Sequence, residues 1–133
     1  MQSISQEQAL LETPLRAGES AHLFAARRFD GLEFLAATFR THAYAPHAHD
    51  TYAIGTIEMG CEVWHARGQK LYAGPGDIVM NHPLDVHDGA PSEGGYRYRM
   101  SYPSVELMQE IAASLTGNEV VGTPFFRDPV VQD

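Results

Sequence analysis

Between His22 and Tyr102 the chain is cut into short apolar runs by turns containing glycine or proline, and this punctuation most limits the folds open to it. Asp30-Gly31, Gly60, Arg67-Gly68, Gly74-Pro75-Gly76-Asp77 and His82-Pro83-Leu84-Asp85 each separate stretches rich in branched and aromatic residues. Such stretches read as β-strands, because these side chains pack well on a pleated, half-buried surface. The spacing predicts a long strand over 32–44, strands over 52–59 and 61–66, and a hairpin at Arg67-Gly68. Further strands are expected over 78–81 and 96–102, with a loop over 89–95. The period turns helical only after Pro103. Ser104 can cap a helix through Val105, Leu107, Met108, Ile111, Ala112 and Leu115, stopped by Gly117-Asn118. Many short strands followed by one helix describe a mainly β fold, an antiparallel β-barrel or jelly roll with a short helix after the barrel.

At 133 residues the chain is long enough for one self-sufficient core. Residues 1–20 are polar and mixed, with a turn signal at Pro14 and Gly18. They read as an N-terminal arm that can hold a helical turn but has little to order it alone, and a plain disordered terminus stays equally open. The barrel is expected over 21–133. Seventeen acidic against nine basic residues leave a net charge of −8, which repels phosphate backbones. Cys61 is the only cysteine, so no internal disulfide forms and its thiol lacks an activating neighbour. No signal peptide or membrane-length apolar run is evident, and a soluble, cytoplasmic protein is expected.

The chemistry concentrates in two segments, Pro46-His47-Ala48-His49-Asp50 and Pro83-Leu84-Asp85-Val86-His87-Asp88. Residues i and i+2 of a strand point to the same side, so His47 and His49 project together. The strands and turns between them and His87 can fold a third imidazole onto that pair. Three imidazoles can hold zinc or nickel with an open position for water or ligand. They can equally line a wet pocket without a metal. Tyr52, Trp64 and Tyr98 are expected to join His47, His49 and His87 around a bound small molecule. Arg97 and Arg99 share the opposite strand face from Tyr96, Tyr98 and Met100 and are expected to point outward. His22, His65 and His82 read as surface or turn residues, and Asp77 as a turn former rather than an acid catalyst.

Taken in order, His47-Ala48-His49-Asp50-Thr51-Tyr52-Ala53-Ile54-Gly55, Gly60, Arg67-Gly68, Pro75-Gly76-Asp77-Ile78-Val79 and Pro83 through His87-Asp88-Gly89 resemble the two motifs of a cupin. More narrowly, they resemble the sensory domain of AraC-type transcription regulators. Gly95 through Pro103 and the closing Pro124-Phe125-Phe126 and Pro129-Val130-Val131 look like the same group. The resemblance implies a barrel that binds a small-molecule effector, helices that support a homodimer, and DNA contact through a separate C-terminal helix-turn-helix domain. No basic stretch or two-helix recognition pattern lies in this chain, so that domain is expected to be absent from it. The sequence departs from the cupin pattern at one point. Where a cupin metal site usually adds a glutamate four or five positions after the histidine pair, this chain has Ala53 and Ile54. Two other functions stay open: a small metal-dependent cupin enzyme, an oxygenase or isomerase, and a carbohydrate-binding jelly-roll module.

Overall fold

Glycine decides how the two longest strands run. In the computed structural model, which describes residues 2–132, strands β4 (Ala53–Ala66) and β7 (His87–Ser101) pair antiparallel along nearly their whole length. Before Gly60, β4 buries odd positions such as Ala53 and Ile57; after it, the even positions Glu62, Trp64 and Ala66 are buried. A β-bulge causes this change of phase, because an extra residue in one strand turns every later side chain to the other face. Gly60 has φ of 76°, and a Cβ there would stand 2.1 Å from the carbonyl oxygen of Gly95. Only glycine fits. On β7 the same shift occurs at Gly94-Gly95, so His87 and Gly89 face inward before it and Tyr96, Tyr98 and Met100 after it. The strand end expected at Gly60 and the loop expected over 89–95 are instead irregularities inside continuous strands.

The bulges let two sheet halves share these strands. One half runs β1 (Ser20–Ala26), β2 (Leu32–Phe39), β7, β4, β6 (Ile78–Asn81) and β8 (Val130–Val131). In the other, β3 (Tyr44–His47) pairs with the start of β7, and β5 (Gln69–Ala73) with the end of β4. All strand pairs are antiparallel, as the sequence leads one to expect. One core joins the halves, with Leu35, Phe39, Ile57, Trp64, Tyr96 and Tyr98 at its centre. Helix α2 (Val105–Thr116) follows the strands, capped by the Ser104 hydroxyl and closed by Gly117 in the left-handed region.

The long strand expected over 32–44 breaks after Phe39. The carboxylate of Glu19 accepts the backbone N–H groups of Arg40, Thr41 and His42, at 2.7–2.9 Å, and that of Arg16. Burial acts to raise its pKa, but these four bonds outweigh it and hold the carboxyl at about 2. At Gly74-Pro75-Gly76-Asp77 the Asp77 carboxylate accepts the Gly74 N–H at 2.9 Å, a turn-forming role. Arg97 and Arg99 point outward and pair with Glu58.

The N-terminal segment is ordered against the barrel. Ser5 and Gln8 form a reciprocal capping box for a short helix α1 (Gln6–Leu11). The Ile4 N–H donates to the Ala48 carbonyl at 2.7 Å, and Ala9 enters the core at 2% exposure. A free terminus is thereby corrected: backbone pairing and one small apolar residue dock it beside β3. His82 also departs from expectation. It is buried, its Nε2 accepts the Phe126 N–H at 2.8 Å, and its ring stacks on Phe125.

Candidate metal and effector site

His47 closes β3 opposite His87, the first residue of β7, and their Cα atoms are register partners. His49 lies two residues beyond the end of β3 rather than on it. The three rings nevertheless meet, with centroids 4.5–5.3 Å apart, and one nitrogen from each lies within 4.8 Å of the others. All three residues are buried.

The hydrogen bonds fix the state of these rings. Nδ1 of His47 lies 2.8 Å from the Ala45 carbonyl, Nδ1 of His49 2.6 Å from that of Ile4, and Nδ1 of His87 2.9 Å from that of Asp85. A carbonyl oxygen only accepts, so each Nδ1 carries a proton and Nε2 is left to face the other rings. The Nε2 atoms of His47 and His49 face one another at 3.1 Å, and two bare lone pairs at that distance need a proton or another cation between them. Protonation is disfavoured: burial lowers the pKa of His49, and pulls that of His87 down to about 4. Converging lone pairs repel unless a cation sits among them. This donor set fits a divalent metal, and backbone carbonyls orienting the far ring nitrogens are the usual second shell of such a site. Tetrahedral nitrogens on zinc stand roughly 3.4 Å apart for bonds near 2.0–2.1 Å, so closing from 4.8 Å needs only a small ring movement.

These imidazoles share a cavity of about 30 Å³ with Trp64, Tyr98, Tyr44, Tyr102, Glu62 and Gln6. Of the three aromatic residues expected around a ligand, Trp64 and Tyr98 line this cavity. Tyr52 does not. It is fully buried, but its hydroxyl donates to the Pro124 carbonyl and its ring meets Phe126, so it tethers the C-terminal segment instead of lining the cavity.

Two polar groups of this cavity escaped the sequence reading. Glu62 is buried, accepts the Tyr96 hydroxyl at 3.1 Å, and burial raises its carboxyl to about 8, so it is protonated at neutral pH. Its position beyond Gly60 makes it inward-facing only through the bulge. Gln6 is 5% exposed and donates from Nε2 to the Tyr44 hydroxyl at 2.9 Å, which brings the N-terminal helix to the cavity wall. A hydrophilic residue in a polar arm gives no such signal.

A β barrel of shared, bulged strands around a buried imidazole cluster defines a cupin-type domain. Solved structures agree at the level of fold. A cupin 2 conserved barrel domain protein from Leptotrichia buccalis matches with a TM-score of 0.59 at 12% identity, over 71% of this chain and 45% of that one. KdgF from Halomonas sp. matches at 0.55 and 20% identity, over 72% and 90%. A variant of Bacillus subtilis oxalate decarboxylase matches at 0.56 and 14% identity, over 94% and 41%. The family is narrower than the fold: residues 29–133 match the AraC-like ligand binding domain, and the chain belongs to that family. A curated relative, the uncharacterized HTH-type transcriptional regulator YbfI of Bacillus subtilis, is 29% identical over 86 residues. That match spans 64% of this chain but only 30% of the regulator.

Proposed function

We propose that this chain is the sensing module of a transcription regulator, and that a divalent metal held by His47, His49 and His87 forms the floor of its effector site. The observation that carries the reading is the three carbonyl-fixed imidazoles with their bare nitrogens turned on one point. Zinc or nickel suits three neutral nitrogens and leaves a position open for an effector atom. The AraC-type family and the regulator relative favour sensing over turnover. DNA contact would then belong to another domain, since this chain carries a charge of −8.

His49 supplies the coupling. One nitrogen faces the site and the other donates to the Ile4 carbonyl, so the imidazole that binds the ligand also holds the N-terminal arm. An effector shifts a regulator only if it binds one arrangement better than another. A ligand that pulls His49 toward the metal strengthens or breaks the Ile4 bond, and the arm reports the change. The experiment is uptake of Zn²⁺ or Ni²⁺ by metal-free protein, with hydrogen exchange followed at residues 4–11. One equivalent of metal, lost in His47→Ala and His87→Ala, and altered protection of the arm are expected. Absence of uptake, or uptake indifferent to both substitutions, overturns the metal floor; uptake with unchanged arm protection overturns the coupling.

A further inference from the structure

Hydrogen-bond donors without acceptors accumulate on the wall of the imidazole cavity. Trp64 is 1% exposed and lines the cavity, yet its indole Nε1–H has no partner among the described residues. Tyr44 and Tyr98 give a second case. Gln6 donates to the Tyr44 oxygen, and the two phenols share one bond of 2.8 Å. Two hydroxyl hydrogens and one bond leave one phenolic hydrogen unspent, whichever ring donates. Buried donors of this kind cost free energy unless an acceptor arrives. Indole N–H can only donate, and so cannot be satisfied by another donor.

We infer that the cavity takes a small carboxylate or oxyanion, whose oxygens accept from Trp64 Nε1 and from the Tyr44–Tyr98 pair. This rests on the metal reading above, because a cation among the imidazoles supplies the countercharge that a buried anion requires. The wall adds a further donor in the protonated Glu62, which faces the ring hydroxyl of Tyr96 and lies near the Asp88 carboxylate. Size limits the ligand. One buried water occupies roughly 10–15 Å³ by the same measure, so about 30 Å³ holds a few heavy atoms, while ordinary ligand pockets run to ~300–1,000 Å³. With residues 4–11 docked, the site has the dimensions of formate or acetate and rejects a sugar. A larger effector enters only by displacing Gln6.

The test uses the Co²⁺-loaded chain, whose visible absorption reports ligands entering the metal's coordination shell. Formate and acetate are titrated beside acetamide, a neutral molecule of acetate's size. Saturable change with the carboxylates and none with acetamide at equal concentration is expected. In Trp64→Phe and Tyr98→Phe the carboxylate should bind at least tenfold more weakly, with cobalt stoichiometry and circular dichroism as controls for the fold. Cobalt uptake without carboxylate binding, equal response to acetamide, or undiminished carboxylate affinity in a folded Trp64→Phe overturns the inference alone. Failure to take up cobalt overturns the metal reading, and this one with it. Should a substituted chain not fold, the acetate–acetamide contrast on the unaltered protein still decides.

Discussion

The charge state of Glu62 bears directly on the fold. Its carboxyl titrates at about 8 in the folded protein against an ordinary value of 4.5. A raised folded pKa means that the folded state holds a proton the unfolded chain has released. The stability this group contributes is therefore full below pH 4.5, erodes as pH rises, and levels off at its minimum above about 8. At pH 7 the cost is about 3 kcal/mol, from 1.36 kcal/mol per pKa unit over the interval. Glu62→Gln keeps an acceptor for the Tyr96 hydroxyl and has no proton to lose. Urea unfolding should show wild-type stability falling relative to the Gln variant between pH 5 and 8; the same pH dependence in both proteins would place the carboxylate in a wetter setting. His42 presents the opposite sign. It is 2% exposed between Phe39 and Tyr44, both its ring nitrogens lack partners among the described residues, and burial lowers its pKa. A proton taken up below pH 6.5 by the unfolded chain is refused by the folded one, so this group penalises the fold in acid. His42→Phe, which replaces two unsatisfied nitrogens with carbon, should gain about 1 kcal/mol at neutral pH and lose less on acidification.

At the scale of strands and helices, the glycine bulges separate what the sequence shows from what it hides. His47, His49 and His87 were legible because a rare, chemically distinct residue type recurred at a strand spacing flanked by turns. Glu62 was not equally legible, since alternation across Gly60 assigns a face only if the extra residue is known, and that depends on the partner strand. The ordered arm was hidden for a related reason: Ile4 and Gln6 find their partners at Ala48, His49 and Tyr44, some forty residues away. Helix α2 was legible because its caps and apolar period are local. The bulge argument can be measured. Gly68 lies in the hairpin with φ of 74° and open space where a Cβ would go; Gly60 adds the clash with Gly95. Gly68→Ala should cost about 1 kcal/mol for left-handed backbone alone, and Gly60→Ala on the order of 3 kcal/mol or more, because strain and steric conflict add. Equal losses in denaturant would mean that the bulge relaxes around the methyl group.

For the whole molecule, a metal held by the three imidazoles would link the cavity and the arm in one equilibrium. The three imidazoles come from β3, the residues beyond it and the start of β7, so the unfolded chain has no preformed site. Metal that binds only the folded state stabilises it by about 2.7 kcal/mol at a hundredfold excess over its dissociation constant. For a chain of this size that corresponds to a rise in Tm of roughly 5–10 °C. Removing residues 1–11 takes away the Ile4 carbonyl that fixes the His49 tautomer, along with Ala9 from the core. The metal-free truncated protein should therefore melt lower. Its gain on adding metal should also shrink, since His49 must now be oriented at the metal's expense. Differential scanning calorimetry of both chains, with Zn²⁺ and with chelator, gives four melting temperatures and one coupling energy. If the arm and the site are independent, the metal-dependent gain is the same with and without the arm. A smaller gain in the truncated chain measures how much of the metal's binding energy is communicated through His49 to the N-terminal segment, and sets an upper limit on the signal that this route can send to another domain.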